Sequence, residues 1–470
     1  MKRPLIIGAI LVLSTLLIYA CSSTIRTAST SFVTITIGEG QGAGTLHAEK
    51  ATFWARVKNL AADINLLPKA YAYIPSAVKV LVVTISAPDM TTIVAVDNVA
   101  NKSSASILIE VPNGSARQFQ VEGLDASSAV AYRGTALADL TGADVTLPIE
   151  MLYAGAGIYV NASTGSDLAT CGTSTAPCLT IAYALTLNPL GNETIVVEQG
   201  NHVINGSLQL NPGTKLTCAG SNRSSVIDGT ATTVAIYGNT GASVENCRII
   251  PGCDATAIDD RIGGSVPAPM TINHVLIDQD PGGGFPCPPW EAVILSADSV
   301  MMDSAFVDTY SSFVTVNSGS PTIKNSTLPG TSNSAYGIYV QAGSPLIDGN
   351  VISGAADGIY VAAGTPTVTR NSIHDNYGAG ITVNSSTANP VINYNSIYCN
   401  YNLNLSTLAT TTIDARYNAW ENAPPAVADA TVGCLQGTDI CYSGPMPDYL
   451  PADPAVPGVC VRPVAKPLTR

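Results

Sequence analysis

The chain has 470 residues, a formal net charge of −13 and only 12% charged residues, against about 25% in an ordinary soluble domain. Its 46% apolar content excludes wholesale disorder, and the scarcity of charged helix formers excludes a mostly helical protein. The acidic balance provides no basic surface, so we expect no nucleic-acid partner. No second long apolar run follows the N-terminal one, which excludes a protein with several membrane-spanning helices.

Residues 1–21 have the pattern of an export signal. Two positive residues, Lys2 and Arg3, precede a long apolar stretch. The stretch ends in the sequence Leu-Ile-Tyr-Ala-Cys, which resembles the lipobox of bacterial lipoproteins. The resemblance implies that Cys21 is lipidated and holds the protein on the outer membrane, facing the periplasm or the cell surface. The alternatives are secretion with cleavage near Ala20 and an uncleaved anchor.

Cysteine usage agrees with export. Apart from Cys21, all cysteines lie between Cys171 and Cys460, and an exported chain keeps disulfide bonds. Cys171 and Cys178 flank a short loop rich in Gly, Ser, Thr and Pro, so we expect them to pair. The other pairings stay open, because connectivity cannot be deduced from spacing, and no CxxC…CxxC pattern of a zinc site occurs.

Residues 31–152 form the first predicted domain. A strand-like run at 32–37 is followed by one amphipathic segment that ends at Pro68. Its apolar residues recur at steps of three and four: Phe53, Val57, Leu60, Ile64 and Leu67. This spacing predicts a helix that packs on its own domain or, alternatively, lies on the membrane near the lipid anchor.

Short strand candidates then follow at regular intervals. They are 78–86, 91–96, 105–111, 117–122, 129–136 and 143–150. Pro, Asn-Gly and Asp-Ala-Ser-Ser turns separate them, a pattern that predicts a small antiparallel β-sandwich. The turn at Pro112, Asn113 and Gly114 resembles those of immunoglobulin-like and carboxypeptidase-regulatory-like modules, which implies a spacer or display platform rather than chemistry.

Residues 157–425 contain an internal repeat of 21–24 residues. Gly319, Gly343, Gly364 and Ala388 each open a short Pro-containing motif, and the Gly-Ile-Tyr-Val type of run recurs between them. Helical solenoids and propeller blades need longer periods. Short alternating strands at this period predict one coil each of a right-handed parallel β-helix. The expected fold class is therefore all-β, a β-helix preceded by the antiparallel sandwich.

The repeat also predicts which residues stack from coil to coil. We expect Ile323, Ile347, Val368 and Ile392 inside one sheet, and Val340, Val361 and Val383 inside another. One register is held by Asn350, Asn371, Asn395 and Asn418, and continues backwards through Ser326, Ser304, Val275 and Cys247. We interpret these asparagines as a structural ladder in a turn that needs the left-handed conformation, where Asn is tolerated.

Both ends of a solenoid need caps, since a terminal coil exposes apolar surface and open strand edges. The run 180–187, just before a strand at 194–197, predicts a short N-terminal capping helix. At the other end, residues 426–470 form a tail rich in cysteine and proline, which we expect to be extended.

The start of the repeat region resembles a known family. Tyr159-Val160-Asn161 and the later run 176–181 (APCLTI) are similar to the opening motif of the bacterial DUF1565 family, within the pectin-lyase-like β-helix superfamily. The resemblance covers about residues 157–425. It implies a β-helix, but not an activity, because lyases, hydrolases, epimerases, tailspikes and adhesins share this fold.

Carboxylates and one histidine gather in the coils between 252 and 310. By register, His274 and Asp303 occupy the same position on successive coils, and Asp278 and Asp308 lie on one side of the solenoid. Such carboxylates, with Asp280, could bind Ca²⁺. Alternatively, the group could perform acid–base chemistry on a glycosidic bond or beside a uronate. No signature motif certifies either, so solvated surface carboxylates remain the simplest interpretation of this region, including Asp259 and Asp260.

Aromatic residues offer a carbohydrate-binding alternative. Tyr339 and Tyr360 sit at equivalent positions of successive coils, and Tyr394 and Tyr417 share another column with Arg370. Exposed rings along a solenoid suit stacking on sugar faces, although cross-strand tyrosines also stabilise sheets by themselves.

The sequence leaves three functions open. The first is an exported, lipid-anchored cell-envelope protein that binds or displays against polysaccharide or a cell-surface glycan without catalysis. The second is a polysaccharide lyase or glycoside hydrolase built on the acidic coils. The third is a structural envelope component without a ligand.

Overall fold

The computed structural model describes residues 29–37, 74, 78–100, 102, 104–220, 223–252, 255–278, 291–307, 312–330, 336–422, 424–430 and 438–450. The export signal with Cys21, the amphipathic segment, Asp280 and Asp308 lie outside these residues. The chain divides into two units at Ala154 and Gly155, and each unit has its own hydrophobic core.

The first unit consists of two mainly antiparallel sheets, as predicted. One sheet has the strand order Ala105–Pro112, Thr30–Ile37 and Val145–Pro148, of which the last pair is parallel. The other has the order Ile93–Asn98, Val80–Ser86, Gly114–Leu124, Val130–Leu140 and Leu152–Tyr153. Strand residues alternate between the core and the outside; Leu81, Val83 and Ile85, for example, are fully buried.

The second unit is a parallel β-solenoid of three sheets, which confirms the predicted architecture. Sheet 1 contains Ile158–Val160, Thr194–Val197, Lys215–Cys218, Ser243–Glu245, Thr271–Asn273, Val300–Met302, Thr322–Lys324, Leu346–Asp348, Thr367–Thr369 and Val391–Asn393. Sheet 2 contains Gly200–Val203, Ser225–Gly229, Arg248–Pro251, Leu276–Asp278, Ala305–Val307, Thr327–Pro329, Val351–Ser353, Ser372–His374, Ser396–Tyr398 and Ala419–Trp420.

Sheet 3 extends past residue 425 into the segment predicted as a tail. It contains Leu208–Gln209, Val234–Tyr237, Thr256–Asp259, Glu291–Leu295, Ser312–Val316, Ile338–Val340, Ile359–Val361, Ile381–Val383, Leu403–Thr407, Thr438–Tyr442 and Val427–Asp429. A small hairpin of Arg261–Ile262 and Val266–Pro267 leaves the solenoid.

The core consists of the aliphatic columns that the repeat predicts. Ile323, Ile347, Val368 and Ile392 pair in register along sheet 1, and Val340, Val361 and Val383 along sheet 3. All seven are fully buried. Burial of each such side chain contributes about 1.5–3 kcal/mol, so the columns supply a large part of the stability of the coils.

A ladder of buried amides runs along the corner between sheets 1 and 2. Asn350 Nδ2 donates to Asn371 Oδ1 at 3.0 Å, Asn371 Nδ2 to Asn395 Oδ1 at 2.9 Å, and Asn395 Nδ2 to Asn418 Oδ1 at 3.0 Å. Ser326 joins the same ladder, because its N–H donates to Asn350 Oδ1. The ladder satisfies polar groups inside the solenoid and is structural, as predicted.

The prediction that these asparagines adopt the left-handed conformation is wrong. The residue before each of them has the positive φ, as in Arg370 (55°), Tyr394 (61°) and Tyr417 (59°). The preceding residue turns the chain outward, and the following asparagine then points into the corner. The spacing repeats equally for both positions, so periodicity alone did not separate them.

A helix outside the repeat packs on the first coil of the solenoid. The predicted capping helix spans Ile181–Leu187, and Thr180 Oγ1 accepts from the N–H of Tyr183 at its start. At the other end, a second amide ladder, which the sequence analysis missed, leads from Asn376 through Asn400 and Asn404 to the buried carboxylate of Asp439. Burial raises the pKa of Asp439 above its usual value.

Two disulfide bonds lie in the first coils. Cys171 and Cys178 are paired as predicted, and Cys218 is paired with Cys247 in the corner position that asparagine occupies later. Within the described ranges, no helix has the length and apolar character needed to span a membrane.

Candidate functional site

The left-handed residues of successive coils form one continuous line, here called the corner column. Its members are Asn246, His274, Asp303, Asn325, Gly349, Arg370, Tyr394 and Tyr417. The sequence analysis treats His274 and Asp303 as one group and Arg370, Tyr394 and Tyr417 as another. The structure places all five on the same column, with Asn325 and Gly349 between Asp303 and Arg370. Members on successive coils have backbones about 4.8 Å apart.

Large side chains are unusual at a positive φ. Asn, Asp and His tolerate this region, but Arg and Tyr are genuine outliers there, and glycine, as at Gly349, is the least strained choice. Backbone strain of this kind persists where the surroundings fix it, often at functional surfaces. The later part of the corner column therefore holds Arg370, Tyr394 and Tyr417 outward against a conformational cost.

The two corner tyrosines stack on one another. The ring centroids of Tyr394 and Tyr417 are 4.9 Å apart with an interplanar angle of 4°, and Arg416 Cζ lies 6.0 Å from the Tyr417 centroid. Tyr394 is 56% exposed. Because the two rings stack on one another, the exposed surface of Tyr394 belongs to its other face and its edges. Arg370 forms an ion pair with Asp348, which raises the pKa of its guanidinium.

A buried polar cluster lies at the early end of the corner column, around His274. Nη2 of Arg223 is 3.3 Å from Nδ1 of His274, and Nδ2 of Asn273 donates to Oε1 of Glu245 at 2.9 Å. All four residues are less than 10% exposed although they are on the outer side of the corner. Arginine can only donate, so Nδ1 of His274 is the acceptor and its proton is on Nε2.

The sequence analysis found His274 but missed Arg223, Glu245 and Asn273. Arg223 lies in a loop where the repeat spacing is irregular, so register gave no signal for it. Oδ1 of Asn273 is buried without a hydrogen-bond partner in the part of the chain that is described. An unsatisfied buried acceptor is uncommon in a folded protein, and this makes the cluster a candidate site.

Asp278 is not a solvated carboxylate. It is 6% exposed, and its Oδ2 accepts from both Nε and Nη2 of Arg248. Asp303, one coil after His274, is half-buried. Asp280 and Asp308 lie outside the described residues, and among those described no group of three or more His, Cys, Asp and Glu side chains could hold a metal ion.

Asp259 and Asp260 correct the expectation of surface carboxylates. Asp259 forms a two-pronged ion pair with Arg261, at 2.8 and 2.7 Å. Asp260 is fully buried and accepts from Ser299 Oγ and two backbone N–H groups. Burial raises the pKa of Asp260 above its usual value. Both carboxylates thus hold the loop that enters the small hairpin.

A second candidate surface lies on the outer face of sheet 3. Tyr339 and Tyr360 pair in register on successive strands, and Thr382 continues the row, as predicted. Tyr336 joins them, with ring centroids 5.4 Å from Tyr339 and 4.5 Å from Tyr360. We call Tyr336, Tyr339 and Tyr360 the tyrosine patch.

Polar groups surround the tyrosine patch. Asn384 Nδ2 donates to the hydroxyl of Tyr360, and burial raises the pKa of Tyr336. Asp357 accepts from the N–H of Ala379 at 2.7 Å, and burial raises its pKa. The sequence analysis missed Tyr336, although an aromatic residue three positions before Tyr339 was the available signal.

A further histidine is engaged with its neighbours. Nδ1 of His374 is 2.8 Å from Asp375, and its ring stacks on Tyr398 with centroids 5.0 Å apart. This cluster belongs to sheet 2, whereas the tyrosine patch belongs to sheet 3. The candidate residues are therefore spread over separate surfaces of the solenoid.

Comparisons with known proteins bear on the fold. A family model described as "Right handed beta helix region" matches residues 296–425, and no curated protein matches the chain. The catalytic unit of a thermostable GH87 alpha-1,3-glucanase from Streptomyces thermodiastaticus strain HF3-3 is similar at 12% identity over 81% of this chain and 87% of that chain, with a TM-score of 0.34. That score is too low to support an argument. The family match supports the right-handed β-helix for the coils from 296 to 425.

Proposed function

We propose that this protein is an exported, lipid-anchored cell-envelope protein whose β-helix binds polysaccharide without catalysis. The observation that carries the proposal is the tyrosine patch, in which three rings lie within 5.6 Å of one another on the outside of sheet 3. The localisation in the cell envelope is inferred from the export signal and Cys21, and both remain predictions from the sequence.

The tyrosine patch has the chemistry that a sugar chain needs. Tyrosine offers a large rigid face together with a hydroxyl, and the rings of Tyr336, Tyr339 and Tyr360 are half-buried, so their positions are fixed before a ligand arrives. The amide of Asn384 and the hydroxyl of Thr382 extend the same face with neutral hydrogen-bonding groups. A preorganised surface loses little conformational entropy on binding.

Retention on immobilised polysaccharides tests this proposal. We expect Tyr339→Ala and Tyr360→Ala each to weaken binding about two- to tenfold, since stacking of aromatic rings is worth about 0.5–1.5 kcal/mol. The corner-column variants Tyr394→Ala, Tyr417→Ala and Arg370→Ala form the comparison set. Selective loss in that set would move the binding surface to the corner column.

The same retention experiment, with the length of the polysaccharide chains measured as well, separates binding from the other two functions. Retention without shorter chains supports the non-catalytic proposal, and absence of retention on neutral and acidic polysaccharides would leave the structural envelope component.

The lipid anchor is tested separately. Cys21→Ser is expected to move the protein from the membrane fraction to the soluble fraction. An unchanged membrane fraction would contradict the lipid anchor.

A second candidate function, a polysaccharide lyase or glycoside hydrolase, is favoured by the buried polar cluster. A histidine with a fixed tautomer, held by Arg223 and next to the Glu245–Asn273 pair, is suited to proton transfer. If shorter chains are released, we expect His274→Ala and Arg223→Ala to abolish their release. Tyr339→Ala should then leave the chain-shortening rate at saturating polysaccharide unchanged. Release that survives both cluster variants would exclude this site.

A further inference from the structure

The N-terminal end of the solenoid contains a groove outside both candidate surfaces. A cavity of about 430 Å³ lies between the start of the capping helix and the first strands of sheets 2 and 3. It continues into a second cavity of about 320 Å³, and the two share Ala182, Ser207 and Leu208. Small-molecule sites in proteins are typically about 300–1,000 Å³. We call this space the N-terminal groove.

One buried polar side chain in the N-terminal groove is unexplained by the fold. His202 lines the cavity and is 3% exposed. Its register partners on the next coils of sheet 2 are Ile227, Ile249 and Ile277. The core column would accept an isoleucine at this position, and burial of an imidazole has an energetic cost. His202 thus stands at the end of the isoleucine column of sheet 2, where this column borders the N-terminal groove.

The hydrogen bonds of His202 define what it can bind. Its Nε2 lies 2.9 Å from the carbonyl oxygen of Glu198, so Nε2 carries the proton and donates. Burial lowers the pKa of His202, which keeps the ring neutral near pH 7. Nδ1 is then an acceptor, and it has no partner within the described ranges. A ligand that completes the site must donate a hydrogen bond.

The rest of the lining favours a neutral ligand with both apolar and hydroxyl faces. Among the residues that the structure describes, no charged side chain lines the N-terminal groove. Leu179 and Val203, which are 39% and 54% exposed, supply apolar surface at its rim. Asn205 and Ser207 supply neutral hydrogen-bonding groups. A sugar ring combines apolar C–H faces with hydroxyl donors, whereas an ion or a uronate would find no countercharge.

We propose that the N-terminal groove binds a neutral mono- or disaccharide unit, with one sugar hydroxyl donating to Nδ1 of His202. The site is independent of the tyrosine patch, because it involves other residues on other elements. A protein that fails to bind polysaccharide at the tyrosine patch could still bind a short sugar here, and the reverse also holds.

Nitrogen-15 NMR of histidine-labelled protein tests the proposal directly. The chain has four histidines, so His202→Phe assigns the His202 signal. We titrate the full chain with maltose, cellobiose and N,N′-diacetylchitobiose, and with galacturonate and hexanol as comparison ligands. The expected result is a saturable change in the His202 Nδ1 shift with at least one neutral disaccharide, and none with galacturonate.

Two further variants keep the test decisive if His202→Phe folds poorly. Val203→Trp blocks the rim without changing His202 and should weaken sugar binding at least tenfold. Val351→Trp, at another exposed valine of sheet 2, should leave binding unchanged. The proposal is overturned if no disaccharide shifts His202, if hexanol alone does so, or if Val203→Trp binds normally.

Discussion

At the corner between sheets 1 and 2, each coil from Gly349 onwards has one residue with a positive φ followed by one with a buried amide. Arg370 and Asn371 are such a pair, and they face opposite sides of the chain. The buried position requires an amide because its side chain forms the hydrogen bonds of the ladder. The left-handed residue points outward and takes no part in the ladder. Side chains along the corner column therefore differ from coil to coil while the asparagines do not.

Asn371→Asp tests the asparagine ladder at its centre. The amide of Asn371 donates to the carbonyl of Ile347 and to Asn395 Oδ1, and a carboxylate would face these acceptors without a proton to donate. We expect a loss of about 3–5 kcal/mol in the free energy of unfolding. The measurement is urea denaturation, with the exposed Asn402→Asp as control. Equal effects of the two variants would contradict a structural ladder.

Asp414 predicts an acid-sensitive contribution to stability. Hydrogen bonding from Arg416 lowers the pKa of Asp414 from 3.8 to about 2. The folded protein thus binds this proton more weakly than the unfolded chain, so the stabilisation is present above about pH 4 and is lost as the pH falls towards 2.

Asp414→Asn should accordingly lower the Tm at pH 6 and have no effect near pH 2. Thermal unfolding of both proteins between pH 2 and 6 checks this. The exposed Asp144→Asn, whose carboxylate makes no ion pair among the described residues, is the control. A difference in Tm that stays constant over this range would show that Asp414 does not titrate as expected.

At the scale of elements, the early and late coils are held together by different bonds. The late corner uses the amides of Asn350 to Asn418, whereas the early corner uses the disulfide bond between Cys218 and Cys247. Between these two parts of the corner, the side chains of Ser304 and Ser326 each accept one hydrogen bond. The Val275 N–H donates to Ser304 Oγ, and the Ser304 N–H donates to Ser326 Oγ. The early coils therefore have a covalent link at this corner, whereas the late coils have amides there and carry disulfide-bonded cysteines elsewhere, at Cys399 and Cys441.

Removal of that link should be costly. Cys218→Ala with Cys247→Ala opens a loop with a sequence separation of 29 residues, and chain entropy predicts a loss of about 3–4 kcal/mol. The matched control, Cys171→Ala with Cys178→Ala, opens a separation of 7 and should cost about 2 kcal/mol. Denaturation under non-reducing conditions measures both. A larger loss in the control would rule out this explanation.

For the whole molecule, the two units have separate cores. The first is built around residues such as Val83 and Phe119, and the second around the long aliphatic columns of the solenoid. A unit with its own core can in general fold alone, and repeat arrays depend mainly on contacts between neighbouring coils.

Residues 155–470 should therefore fold when expressed alone. We expect circular dichroism typical of β-structure and one thermal transition that coincides with a transition of the full chain. The shortened chain tests whether the capping helix suffices to close the first coil. Aggregation of this fragment, with a soluble full chain, would show that closure needs residues before 155.

The fold was largely predictable because every coil of a solenoid repeats the same local structure. Strands, inward columns and the asparagine ladder recur at a fixed spacing, so Asn371 and Ile347 could be placed without coordinates. The candidate sites were less predictable. Register located His274, Tyr339 and Tyr360, but Arg223 and Tyr336 come from segments outside the repeat, where spacing carries no positional information.

The sequence by itself determined the β-helix, its core columns and the Cys171–Cys178 pair, because these depend on local periodicity and short spacing. Only the tertiary structure decided which corner residue is left-handed, and that Asp260 and Asp278 are buried against loop N–H groups and Arg248. It also brought Arg223 to His274 and placed His202 at the N-terminal groove. Such contacts join residues far apart in sequence, and their geometry is set by the packing of irregular loops on the regular coils.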